Sequence, residues 1–97
     1  MAEIALVTGA AGGIGLEFCR LLGEKGFDLV MVDLDEEGLK NAQAGLSKEV
    51  NVNIKTFTQD LSEESAAENI MSFLKEHDTH IDLLFNNAGF GNFGYFA

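Results

Sequence analysis

The stretch Thr8-Gly9-Ala10-Ala11-Gly12-Gly13-Ile14-Gly15 constrains the fold more than any other. It follows an apolar run, Ile4-Ala5-Leu6-Val7, and leads into a segment with helical spacing. A strand, a glycine turn and a helix in that order hold phosphate well. The turn brings bare backbone N–H groups to the helix start, where the aligned peptide dipoles favour negative charge. A side chain on the turn would keep a pyrophosphate at a distance, which is why glycine is wanted there. The spacing is Gly9, Gly13 and Gly15 with an extra Gly12, a G-x-x-x-G-x-G rather than the commoner G-x-G-x-x-G. Taken alone it fits an ordinary strand–helix turn equally well, and the rest of the chain has to decide.

The first apolar run does not alternate, which suits a strand buried on both faces. After the glycines, Ile14, Phe18, Leu21 and Leu22 fall at i, i+4, i+7 and i+8 and predict one apolar helical stripe ending at Gly26. Leu29-Val30-Met31-Val32 reads as a second buried strand closed by Asp33. Asp35 is a good N-cap for a second helix, with Glu36 and Glu37 in its first turn and Leu39, Ala42 and Leu46 on its apolar face. In 52–57 polar residues alternate with apolar ones up to Lys55, the mark of a half-exposed edge strand. Ser62 or Asp60 is expected to cap a third helix carrying Ala66, Ile70, Phe73, Leu74 and His77 on one face. A fourth strand, 81–85, runs into Asn86-Asn87-Ala88-Gly89, and 90–97 reads as loop.

The order βαβαβαβ predicts an α/β fold, a parallel sheet with right-handed crossovers and helices on both faces. In such a Rossmann-like, three-layer αβα arrangement the first strand is central and the strand order is 3-2-1-4. That places the alternating third strand at one edge and the fourth at the other. Leu83-Leu84-Phe85 is too apolar for an exposed edge. The expectation is therefore a half-domain spanning 1–97, whose open edge meets either the rest of a longer fold or a second copy of the chain.

Sixteen acids against six bases give a net charge of −10. Nucleic acid and anionic membrane both need a basic surface, so neither is expected as a partner. An anionic cofactor would have to be held by backbone dipoles instead of a field of Lys and Arg. Cys19, the one cysteine, is expected to be a buried, inert thiol, and it cannot form an internal disulfide. Met1-Ala2-Glu3 lacks the basic start of a signal peptide, and the uncharged run 4–16 is too short and glycine-rich to span a bilayer. A cytoplasmic location is the resulting expectation. His77 and His80 at a helix C-terminus suit the helix dipole better than a metal.

Asp33 ends the second strand 18 residues after Gly15. An acid about 20 residues beyond the glycine turn can accept hydrogen bonds from an adenosine ribose, and it would repel a 2′-phosphate. Ala10, Ala11, Gly12, Leu34 and Asp35 offer no base to hold such a phosphate, so the pattern favours NAD over NADP. The alternative is that Asp33 only caps a loop.

Four motifs now stand in order at successive strand ends, and together they resemble the N-terminal half of a short-chain dehydrogenase/reductase. Gly9 to Gly15 resembles the family's T-G-x-x-x-G-I-G cofactor loop. Asp33 stands where NAD-preferring members carry their ribose acid. Asp60-Leu61 resembles the D-[LV] pair whose acid approaches the adenine, and Asn86-Asn87-Ala88-Gly89 the N-N-A-G motif beside the cofactor. The resemblance implies that Gly12, Gly13, Ile14 and Gly15 surround the pyrophosphate and that Gly9 allows the sharp turn. It implies that Asn87 ties the central strands together, with Ala88 and Gly89 near the ribose on the nicotinamide side. On the residues alone, Asp60 could equally cap a helix, and Asn86 and Asn87 could equally satisfy turn backbone.

The same resemblance implies hydride transfer between NAD and an alcohol or carbonyl carbon. The family's catalytic Ser and Tyr-x-x-x-Lys pair have no counterpart in these 97 residues, where the one tyrosine, Tyr95, is followed by no lysine. No catalytic residue is therefore assigned, and the chain is expected to bind cofactor without turning over substrate. A freestanding nucleotide-binding module without redox chemistry is the competing expectation. A fragment that keeps the fold but leaves the glycine turn empty is the third.

Overall fold

The structure, a computed structural model, describes residues 3–87. Strand β1 (Ile4–Thr8), helix α1 (Gly13–Glu24), β2 (Asp28–Asp33), α2 (Glu36–Ser47), β3 (Ile54–Thr58), α3 (Ala66–Glu76) and β4 (Leu83–Asn86) alternate along the chain. The sheet is parallel with order β3-β2-β1-β4, the order expected of a doubly wound half. Register pairs Thr8 with Val32 and with Asn86, and Asp33 with Thr58. Thr8, Asp33, Thr58 and Asn86 therefore close the four strands along one end of the sheet. In open α/β sheets ligands bind at that carboxyl end.

The uninterrupted apolar runs of β1 and β2 reflect burial on both faces. Ala5, Val7, Leu29 and Met31 point to one core, with Cys19, Leu22, Leu39, Ala42 and Leu46 of α1 and α2. Leu6, Val30 and Val32 point to the other, with Ile70 and Leu74 of α3. Each fully buried leucine contributes about 1.5–3 kcal/mol through removal from water. Strand β3 is half-buried from Ile54 to Phe57 and exposed at Thr58, as its alternating sequence implies for an edge.

The expected apolar stripe of α1 is only partly the buried face. Ile14 is 64% exposed, Leu21 50% and Phe18 37%, while Gly15, Cys19, Leu22 and Gly23 are buried. Small residues let the helix close on the sheet and its surroundings: a Cβ on Gly23 would stand 3.0 Å from a Val50 methyl. Glycine carries no hydrophobic signal, so the periodicity pointed one residue to the side of the true contact face. Phe18 is not left bare, since its ring stacks on Phe85 of β4 with centroids 3.9 Å apart.

Asp35 caps α2 as expected, its Oδ1 accepting from the Gly38 N–H at 3.0 Å. The cap expected of Asp60 or Ser62 does not form. Helix α3 begins at Ala66, Ser65 stands at its N-cap without a side-chain bond, and Asp60 instead closes a turn upon Ser62. An Asx turn satisfies the same kind of donor as a helix cap, and here it wins because the chain turns before it coils. Strand β4 starts two residues later than the apolar run. Asp82 turns its Oδ2 to the Ile4 N–H at 2.8 Å and its own N–H to the Ile4 carbonyl.

Cys19 has no exposed surface, and burial pushes its thiol up to about 12. A thiolate is the reactive form. At pH 8 a disulfide reagent is therefore expected to label Cys19 only as fast as the chain opens, with labelling accelerated by urea. Rapid labelling of the folded chain, followed by absorbance, would contradict this packing.

Candidate functional site

The glycine turn leaves β1 at Thr8 and enters α1 at Gly13. Gly9 stands at φ +65°, in the left-handed region, where a side chain would be strained. Its carbonyl receives the Asn87 Nδ2 at 3.4 Å. Gly15 is buried directly against it: a Cβ there would overlap the Gly9 carbonyl oxygen and come within 3.0 Å of Asn87 Nδ2. Gly12 and Gly13 face open space, with nothing within 4 Å of a Cβ on either, and Gly13 also has φ +60°. Ile14 follows, exposed. Helix α1 has no side-chain cap and no acid in its first turn. Its leading N–H groups are thus presented beside an unobstructed approach, the arrangement that suits an anion.

Thr8 and Asn87 lock this turn to β4. The Thr8 hydroxyl donates to Asn86 Oδ1 at 2.8 Å and accepts the Asn87 N–H at 2.9 Å. Both asparagines thus join β1 to β4, and Asn87 also supports the loop at Gly9. Ala88 and Gly89, the other half of that motif, lie outside the described residues, as does 90–97.

Asp33 lies at the end of β2, half-buried, across the turn. Its Oδ2 accepts the Ala11 N–H at 2.9 Å and its Oδ1 the Asp35 N–H at 3.1 Å. Two backbone donors therefore fix the carboxylate plane, and each oxygen keeps acceptor capacity. Asp33 does tie a loop, as the plainer reading held, and the loop it ties is the glycine turn itself.

A cavity of about 320 Å³ opens between these strand ends, lined by Gly9, Asp33, Leu34, Gln59, Asp60, Leu61 and Ser62. Of the residues singled out in the sequence, Gly9, Asp33, Asp60 and Leu61 meet here. Gly12, Gly13 and Ile14 stand at the start of α1 and do not line it. Ser62 donates its hydroxyl at 2.7 Å and its N–H at 3.0 Å to Asp60 Oδ1. These bonds hold the Asp60 carboxyl below its usual range. Gln59 was not foreseen, and Leu34 was named only as offering no base to a 2′-phosphate. Leu34 had a signal, an exposed apolar residue between two aspartates in a turn. Gln59 had none, because a single buried polar residue has no period.

The histidines form no ligand set. His77 ends α3 with its ring against Phe73, centroids 4.5 Å apart, and His80 Nε2 lies 3.7 Å from Asp82 Oδ1. Among the described residues no group of His, Cys, Asp and Glu could hold a metal ion, and no helix is long and apolar enough to cross a membrane.

The family profile described as short chain dehydrogenase matches residues 3–97. The chain belongs to the short-chain dehydrogenase family. It is 40% identical over 95 residues to a (−)-isopiperitenone reductase of Mentha piperita, an alignment covering 92% of this chain and 30% of that protein. A short-chain dehydrogenase from Sphingobium yanoikuyae, solved in complex with NADPH, superposes with a TM-score of 0.79 at 33% identity, covering 90% of this chain and 34% of that one. NAD+-bound xylitol dehydrogenase superposes with a TM-score of 0.79 at 34% identity, covering 91% and 34%. This short-chain dehydrogenase sequence thus spans about a third of the length of the relatives it matches. Relatives of this fold hold NAD+ in one case and NADPH in another, so family membership leaves the choice between the two cofactors to the residues of the site.

Proposed function

We propose that the chain is the dinucleotide-binding part of a short-chain dehydrogenase/reductase-like oxidoreductase that transfers hydride between NAD and an alcohol or carbonyl substrate. The observation that carries this reading is the Asp33 carboxylate, held by two backbone N–H groups beside the uncapped start of α1. The residues fit a dinucleotide: Gly12 and Gly13 leave room at the helix start, and the cavity lies between Asp33 and Asp60.

In this reading the N–H groups of Gly13, Ile14 and Gly15 face the pyrophosphate, with Gly12 clearing its approach. Gly9 and Gly15 pack the turn that aims those groups. Asp33 accepts hydrogen bonds from the adenosine ribose, and Asp60 and Leu61 wall the adenine. Asn87 ties β1 to β4 beside the site, and Ala88 and Gly89 are assigned to the ribose on the nicotinamide side by the family resemblance. The cofactor supplies the hydride chemistry, and this stretch binds and orients it. The family's Ser and Tyr-x-x-x-Lys pair are not among these 97 residues, so the chain alone is inactive.

NAD is preferred over NADP. A 2′-phosphate would sit beside Asp33, Asp35, Glu36 and Glu37, and the start of α2 is already occupied by the Asp35 carboxylate. The nearest lysine on that helix, Lys40, is paired with Glu36 at 3.6 Å. The β4 edge, where Leu83 and Phe85 are half-buried, is proposed to pair with further sheet or with a second copy of the chain.

Calorimetric titration of the chain with NAD, NADP and AMP tests the reading. NAD is expected to bind at least about tenfold tighter than NADP, the difference that one charged interaction carries. Binding of none of the three by a folded sample, or a preference for NADP, would overturn it.

A further inference from the structure

Gln59 is a buried polar residue, 6% exposed, on the wall of the cavity. Its amide makes every donor contact available to it. Nε2 donates to the Asp60 carbonyl at 3.0 Å and to Glu63 Oε1 at 2.9 Å, and Oε1 accepts Asn69 Nδ2 at 3.0 Å. Its backbone N–H donates to the Asp33 carbonyl at 3.0 Å. With both amide hydrogens taken, the side chain has no donor left for a ligand. What it does have is a grip on both sides of the cavity: on Asp33 through its backbone, and on Asp60 and α3 through its side chain.

The turn it grips is also tied to α3 by the Ala66 N–H, which donates to the Glu63 carbonyl at 3.1 Å, and Leu61 packs on the core at Ile70 and Leu74. The Asp60 carbonyl also accepts the Glu63 N–H at 3.1 Å. Its carboxylate is held through Oδ1 by Ser62, a neighbour that moves with it. Without Gln59 the 60–63 turn would keep its internal bonds and lose its attachment to Asn69 of α3. A carboxylate recognises a donor only when it is aimed, and aiming depends on the residues that lock it.

We infer that Gln59 is a positioning residue that sets the Asp60 carboxylate at the adenine side of the cavity, and so helps this site to tell an amino-bearing purine from an oxo-bearing one. The inference rests on the dinucleotide reading above. The carboxylate is an acceptor, and at its lowered pKa it stays one at neutral pH. The exocyclic amine of adenine is a donor, while hypoxanthine carries an acceptor in its place. A well-aimed Asp60 favours the first and repels the second.

The test compares NAD with nicotinamide hypoxanthine dinucleotide by calorimetry on the wild-type chain, Gln59→Met and Glu63→Gln. Methionine keeps the length and burial of glutamine and removes its amide. The wild type is expected to prefer NAD by about tenfold or more, the discrimination that one charge-assisted hydrogen bond supports. In Gln59→Met the ratio is expected to fall to within about threefold, chiefly through weaker NAD binding. Glu63→Gln keeps an acceptor for Gln59 Nε2 and is expected to keep the wild-type ratio. An equal loss for both dinucleotides in Gln59→Met, the mark of a merely structural role, overturns the inference, as does an unchanged ratio or a wild type without preference. In these cases NAD binding itself leaves the dinucleotide reading standing. A folded wild type that binds neither dinucleotide overturns both.

Discussion

Gly15→Ala is expected to destabilise the domain by about 3 kcal/mol or more and to abolish NAD binding in whatever fraction still folds. The added methyl would occupy the place of the Gly9 carbonyl oxygen, with Gly9 C at 2.8 Å and Asn87 Nδ2 at 3.0 Å. These neighbours are a strand-end backbone and an amide that bonds it, so neither can turn aside as a surface side chain would. To relieve the overlap α1 must lift from the turn, and the N–H groups at its start then lose their aim. A domain of this size has about 5–15 kcal/mol in total, so the change removes a large share. The melting temperature should fall by about 12–24 °C, read by circular dichroism. Gly12→Ala is the matched control. Its backbone is extended at φ −175° and a Cβ would meet nothing within 4 Å, so the fold should hardly notice it. Equal stability of the two variants would show that the turn is not packed through Gly15.

The second large effect is expected at Asp33. Asp33→Ala should weaken NAD by about 10–100-fold, the range for losing charge-assisted hydrogen bonds to a ribose diol. NADP should weaken far less, or gain, because the charge nearest its 2′-phosphate is gone. The NAD-to-NADP ratio should therefore narrow to within a few-fold without reversing, since Asp35, Glu36 and Glu37 remain. The fold should lose about 1–2 kcal/mol, because the Ala11 and Asp35 N–H groups give up their acceptor. Calorimetry on both cofactors and urea unfolding measure the two parts separately. An unchanged cofactor ratio would leave Asp33 as a loop tie and nothing more.

The parts of the fold that were legible in the sequence are those whose signal is local. The run Leu29 to Val32 could only be a strand buried on both sides, and Asp35 ahead of two glutamates could only start a helix well. The alternation in β3 marked it as an edge, and strand order followed from parallel, right-handed connection. What was illegible depends on contacts between distant segments. The face of α1 was misplaced because its closest approaches are made by Gly15 and Gly23, which have no side chain to count. The start of α3 was misplaced because Asp60 and Ser62 bond to each other. Of the site, the acids and glycines announced themselves by position at strand ends. Gln59 emerged only when β2 and the turn after β3 were seen to face one another across a cavity.

The central claim is that a dinucleotide lies across the carboxyl end of this sheet, from the start of α1 to the turn at Asp60. Backbone amide chemical-shift mapping during an NAD titration tests it most directly. The largest shifts are expected at Ala11, Gly13, Ile14, Gly15, Leu34 and Leu61, and almost none along the far end of α3 from Met71 to Lys75. Shifts gathered at Met71 to Ile81, or no shifts in a folded chain at millimolar NAD, would contradict it.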